Sequence, residues 1–384
     1  MPDIFFDPAL DPLTAGPLVD HHCHGVISRQ IDRVEFENLS TESNWAPPAG
    51  STVFDTQLGF LIRSRCAPLL GLPAHAAPES YLARRAELGG AEVNRRLLSA
   101  SGIGTYVIET GYRGDEITTP AETAALTAAG SAEVLRLERL AEQLLDEGVP
   151  ADDFIRRYDD VLAEAAGHAA GFKSIAAYRI GLDFDPAAPE HEEVLAAVIR
   201  WRDATPQGES ARLQDPVIIR HLLECATKLG RPLQFHIGYG DDDVNLDRCN
   251  PLLLTDWLRR IQDRGSAVML LHCYPYHREA GYLAHVFPHV YADVGLSLNY
   301  TGSRATAVLA EFLELIPFHK ALFSSDAFGL AELYHLGAAL FRRAYGEVVR
   351  PWIASGDWSA EDARRVFEMI GWRNAERVYR LTRP

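Results

Sequence analysis

PLVDHHCHG, residues 17–25, opens the first apolar run of the chain. The run enters through Pro17, Leu18 and Val19 and then places Asp20, His21, His22, Cys23 and His24 in succession. In a β-strand, side chains alternate between the two faces. Asp20, His22 and His24 then share one face, and His21 and Cys23 share the other. Two imidazoles one strand repeat apart can hold a single metal ion through neutral ring nitrogens, at about 2.0–2.1 Å for zinc. The plainer alternative is a polar strand end whose histidines bond to backbone. This stretch alone does not separate the two.

Working outward, short apolar runs recur, each followed by helix-like sequence. After the first come GTYVIETGY (104–112), AEVLRLERL (132–140), GFKSIAAYRIG (171–181) and RPLQFHIGYG (231–240). AVMLLHCYP (267–275), HVYADVGLS (289–297) and ALFSSDAFG (321–329) bring the strand candidates to eight. Amphipathic stretches such as PVIIRHLLECATKLG (216–230) and PLLLTDWLRRIQDRG (251–265) lie between them. Both start with Pro and end in Gly, the usual helix punctuation. Strands alternating with helices imply parallel pairing with right-handed crossovers. Eight such units make an α/β fold, a (β/α)8 TIM barrel spanning 1–384, whose chemistry sits at the carboxyl ends of its strands. Residues 26–103 exceed any ordinary βα loop and read as a helical cap inserted between strands one and two. SAEDARRVFEMIGWRNAERVYRL (359–381) reads as two outer helices.

The totals narrow the function classes. The 384 residues carry 37 Lys+Arg against 53 Asp+Glu, a net charge of −16. That balance argues against a nucleic-acid surface, which shows basic clusters. No apolar run approaches the roughly 20 residues of a membrane helix, and no secretory signal is visible at the amino end. The five cysteines are scattered without a Cys-x-x-Cys pair, so neither a disulfide framework nor a thiolate zinc site is indicated. The expected setting is the reducing cytoplasm. A small molecule is the expected partner, with a homo-oligomer left open.

A barrel strand should be apolar, so polar residues near its carboxyl end need a reason. Lys173 lies in strand four, His236 ends strand five, His272 ends strand six and Asp326 ends strand eight. Each alone has a structural explanation, but a barrel brings all these ends to one mouth. His22, His24, His236, His272 and Asp326 then converge on one small volume.

This ordered set, Asp-x-His-x-His followed by Lys, His, His and Asp, resembles the amidohydrolase superfamily, in particular its metal-dependent TIM-barrel branch. GFKSIAAYR also resembles the amidohydrolase part of fungal glutamine-synthetase fusion proteins, and GWRNAERVYRL resembles the family's closing helix. The resemblance implies that His22, His24 and Asp326 hold one divalent ion. His236 and His272 would hold a second, with Lys173 bridging as a carbamate. A lysine ammonium has no lone pair, so Lys173 ligates only if carboxylated or deprotonated; its alternatives are an ion pair to Glu109 or Glu138, or a contact to substrate. Zinc is the expected ion, one or two per chain, with manganese and iron open.

The implied activity is hydrolysis of a C–N bond in a small carboxylated substrate, with a γ-glutamyl amide as the guess from the fusion proteins. Asp326 would act as general base and acid, and His272 would steady the oxyanion. Tyr178 and Arg179 are the candidate substrate contacts. The runner-up is single-metal, non-oxidative decarboxylation of a small aromatic acid. A non-catalytic metal-binding barrel is the third reading. His277, His285 and His289 read as packing or surface residues.

Overall fold

The structure, a computed structural model, describes residues 11–206 and 208–382. Seven parallel strands follow one another in chain order around a curled sheet. They are β1 (Leu18–Cys23), β2 (Ile103–Glu109), β3 (Gly130–Arg136), β4 (Gly171–Ser174), β5 (Leu233–His236), β6 (Val268–Leu271) and β7 (Val290–Ala292). Strictly sequential parallel order requires a crossover after each strand, and helices supply it. β4, β5, β6 and β7 are buried along their whole length, as strands enclosed by a helical layer must be.

The ring closes through the extended segment 321–329. Leu322 N donates to the Ala292 carbonyl at 3.1 Å, while His21 N donates to Phe323 O at 3.2 Å. Asp326 N donates to His22 O at 3.1 Å and His24 N to Ala327 O at 2.9 Å. The segment thus lies between β7 and β1 as the eighth stave of a (β/α)8 barrel.

The helices follow their sequence signals. Pro216–Lys228 begins at Asp215, whose carboxylate accepts Val217 N at 2.8 Å, with Pro216 in the first turn. Its buried residues Ile218, Ile219, Leu222, Leu223 and Ala226 form one apolar stripe. The run at 132–140 departs from the expected strand. β3 ends at Arg136 and the helix Leu137–Asp146 begins at once, because LERLAEQLLD carries helical periodicity. At the carboxyl end, Ala360–Glu368 and Asn374–Tyr379 are joined by a π-helical turn, Met369–Arg373, into one continuous run.

Between β1 and β2 lie five α-helices, Arg33–Asn38, Gln57–Leu61, Ala67–Leu69, Pro78–Leu88 and Gly90–Ser101, with a 3-10 turn at Val53–Asp55 and a π-helical turn at Ile62–Cys66. Phe36 stacks on Phe54 with centroids 5.6 Å apart. Tyr81 and Arg85 both donate to the buried Glu332 carboxylate, at 2.7 and 2.6 Å. Glu332 belongs to the long helix Ala331–Ser355, so this ion pair ties the segment to the end of the barrel.

Candidate metal centre at the barrel mouth

The end of β1 and the residue just after it bring His22 and His24 side by side, their ring centroids 5.4 Å apart. Asp326 faces them from the closing segment. Its Oδ1 lies 2.9 Å from His22 Nε2 and 3.7 Å from His24 Nε2, and its Oδ2 lies 3.4 Å from His272 Nε2. Lys173 Nζ, on β4, is 3.2 Å from His22 Nε2. The His236 ring stands 4.9 Å from that of His272. All six residues line one cavity of about 370 Å³, together with Tyr178 and Arg179. His277 lies elsewhere, with its Nε2 2.9 Å from Glu311.

Burial sets the protonation of this cluster. Removing the rings from water holds His22, His236 and His272 well below the ordinary imidazole range and lowers His24 to about 4. All four are therefore neutral, the form that carries a lone pair for a metal. The same burial lowers Lys173 to about 8 and raises the Asp326 carboxyl well above its usual range. The His236 Nε2 is buried without a partner. One ligand atom from each of His22, His24 and Asp326 fits within a 4.8 Å span. Neutral imidazoles around a carboxylate, with an orphaned nitrogen beside them, match the donors that a divalent transition metal takes.

The supporting residues were harder to see in sequence. His24 Nδ1 lies 3.0 Å from the Glu109 carbonyl, which turns its Nε2 toward Asp326. The Glu109 carboxylate takes Arg136 Nη2 at 2.5 Å, and the guanidinium holds it below the usual range despite burial. Glu138 accepts the Ser174 hydroxyl at 2.6 Å, so neither acid considered for Lys173 pairs with it. Asp293, after β7, accepts His272 N at 3.0 Å, Gly295 N at 2.7 Å and Ser324 Oγ at 2.8 Å, and it lies 2.9 Å from His21 Nε2. His21, on the other face from His22, also meets Tyr379 Oη at 3.0 Å. A polar residue at a strand's carboxyl end was the signal for Asp293, as it was for His272. Asp326 and His272 have φ of +51° and +68°, sparsely populated backbone that tends to mark functional sites.

Tyr178 packs its ring 4.3 Å from that of His236. A Cβ added at Gly240 would fall 2.2 Å from Tyr178 Oη and 2.9 Å from His236 Nε2, so a larger residue in the loop after β5 would have to displace the ends of these two side chains. Arg179 lines the cavity, but Glu142 engages its guanidinium at 3.1 Å and the Leu213 carbonyl at 3.2 Å. Asn38, Glu42 and Asn44, from the segment between β1 and β2, also line the cavity.

Residues 64–381 match the amidohydrolase family. The chain belongs to the amidohydrolase family. It is 32% identical over 284 residues to Protein fluG of Emericella nidulans, a match covering 66% of this chain and 33% of that protein. The chain thus spans about a third of the length of that relative. A crystal structure from Lactobacillus casei ATCC 334, of a protein described as a metal-dependent hydrolase, superposes with a TM-score of 0.83 at 30% identity over 96% of both chains. The uronate isomerase of Thermotoga maritima shares the fold at a TM-score of 0.63 and 12% identity, over 97% of each chain. For this amidohydrolase the family implies a divalent metal, and His22, His24 and Asp326 form a group at the mouth that fits one. Among the described residues, no helix is long and apolar enough to cross a membrane.

Proposed function

We propose that this amidohydrolase cleaves a C–N bond of a small carboxylated substrate, with a γ-glutamyl amide as the first candidate. The observation that carries the reading is the approach of Asp326 to three neutral imidazoles at the mouth of the barrel. His22, His24 and Asp326 would hold the ion, zinc by their donor chemistry, with His236 and His272 as further ligands. When bound, a divalent ion polarises a carbonyl oxygen and acidifies water. A divalent ion beside Asp326 would offset the burial that raises its pKa. The carboxylate would then take the proton of the attacking water and hand it to the departing nitrogen, the task of a positioned general base and acid. In a single-ion site on His22, His24 and Asp326, His272 would not be a ligand, and its Nε2, 3.4 Å from Asp326 Oδ2, would be free to steady negative charge as it develops.

Lys173 fits the same reading. Burial lowers its pKa to about 8, which leaves a fraction of neutral amine near neutrality. That amine would add carbon dioxide and release one proton, and the resulting carbamate would offer oxygen donors to a divalent ion. Tyr178 and Arg179 are the proposed substrate contacts. Because Glu142 already occupies Arg179, a substrate carboxylate would share that guanidinium rather than bind it alone.

A second reading is non-oxidative decarboxylation, favoured by the compactness of the single three-ligand group His22, His24 and Asp326. Screening the zinc-loaded protein against N-acyl amides, γ-glutamyl amides and aromatic acids separates the two. Amine release is the expected result; carbon dioxide release without amine would transfer the assignment to decarboxylation.

A further inference from the structure

A second group of metal-binding side chains lies in the outer helical layer, among residues that the chemistry at the mouth does not use. His221 and Cys225 sit four apart on the helix Pro216–Lys228 and so share a face one turn apart. Asp159, on the neighbouring helix Ala151–Ala165, meets them there. Cys225 Sγ lies 3.5 Å from His221 Nε2 and 3.1 Å from Asp159 Oδ1. The three ligand atoms all fall within 4.8 Å of one another.

We infer that Asp159, His221 and Cys225 form a zinc site separate from the barrel mouth. Three observations carry this. The first is geometric: sulfur and nitrogen ligands of a tetrahedral zinc, at about 2.3 and 2.1 Å, stand about 3.6 Å apart, close to the 3.5 Å found between Sγ and Nε2. The second is the donor set, because thiolate, imidazole and carboxylate together suit zinc and disfavour magnesium or calcium. The third is access. Cys225 alone among the five cysteines is not buried, and Asp159 is exposed, so an ion enters from solvent and water can complete the fourth position.

A nucleophilic Cys-His pair fits less well. The Cys225 thiol donates to the Asp159 carboxylate, and burial together with that anion pushes its pKa up. Both effects disfavour the thiolate that nucleophilic attack requires. That thiol proton is the one zinc displaces: Zn²⁺ binds sulfur, one proton leaves to solvent, and no electron moves. Burial lowers His221 below the ordinary range, keeping it neutral for ligation. Of the charged neighbours, Glu224 is engaged by Arg260 at 2.6 Å and Arg264 at 2.5 Å. Lys228 lies 3.7 Å from Glu224, and His191 adds its influence on His221.

The test loads the reduced full-length protein with Co²⁺ alone. The mouth cluster contains no cysteine, so a thiolate-to-cobalt charge-transfer band reports only this site. The band is expected in the unsubstituted protein and in His22→Ala, and is expected to vanish in Cys225→Ser with turnover unchanged. Its absence from the unsubstituted protein, or its persistence in Cys225→Ser, overturns the proposal. A second readout needs no variant. Zinc at ten times its Kd should slow labelling of Cys225 by a thiol reagent about tenfold, and unchanged labelling also overturns the site. Failure of the mouth assignment would instead appear as full metal retention in His22→Ala with this band intact.

Discussion

Asp20 holds Ser325 by two hydrogen bonds, accepting the Ser325 backbone N at 2.8 Å and its hydroxyl at 2.5 Å. Asp20 stands two residues before His22, and Ser325 immediately precedes Asp326. The pair therefore fixes the left-handed backbone of Asp326 relative to the first two imidazoles. Asp20→Ala should cost about 1–3 kcal/mol through the orphaned Ser325 donors and lower metal content as well. Denaturant unfolding and metal analysis check both. Full metal retention would leave Asp20 a purely structural residue.

Asp326→Asn keeps the size of the side chain but cannot accept a proton at neutral pH. Turnover should fall by at least about 10²-fold, the scale of lost acid–base catalysis, with the circular dichroism spectrum unchanged. Near-normal turnover would remove Asp326 from the chemistry.

His22 is central to the cluster, within 2.9 Å of Asp326 and 3.2 Å of Lys173. His22→Ala should reduce bound metal per chain, read by elemental analysis after gel filtration. Undiminished metal would contradict its place as a ligand.

Lys173 discriminates between one ion and two. Metal per chain should rise when the protein is loaded with bicarbonate present, and Lys173→Ala should abolish that increase. Equal metal content with and without bicarbonate would point to a single ion at the mouth and strengthen the decarboxylase reading.

Glu42 lines the cavity and accepts the Tyr300 hydroxyl at 2.9 Å, and burial raises its carboxyl to about 7. The folded state then keeps this proton between about pH 4.5 and 7, where the unfolded chain has released it. Its contribution is complete below about 4.5 and is lost as the pH rises to about 7. Glu42→Gln should therefore stabilise the protein at pH 8 relative to pH 5, by at most about 3 kcal/mol and by less to the extent that water reaches the group. Thermal melts at the two pH values check the sign; equal gains at both would refute the raised pKa.

Much of the site was legible because its signals are local. His22 and His24 alternate correctly on a strand, and His236, His272 and Asp326 interrupt apolar runs at their carboxyl ends, where a barrel gathers side chains. Asp293 carried the same signal, but its work is to accept backbone and side-chain donors from three other segments, and no local pattern announces that. Arg136 was hidden for a related reason. AEVLRLERL reads as one strand through residue 140, whereas the strand ends at Arg136, and the ion pair of Arg136 with Glu109 joins residues 27 positions apart. The partner of Arg179 was equally beyond reach, since Glu142 lies 37 positions away on another element.

Periodicity and punctuation in the chain determined the alternation of strands and helices, and with it the barrel and the rim where the histidines and Asp326 stand. Those signals act between residues a few positions apart, so they survive in a linear reading. Tertiary structure alone decided which carboxylates stay charged, which cations are already paired, and that Asp159 comes to rest against His221 and Cys225. Burial and close approach between distant segments set these energies, and neither exists until the chain has folded.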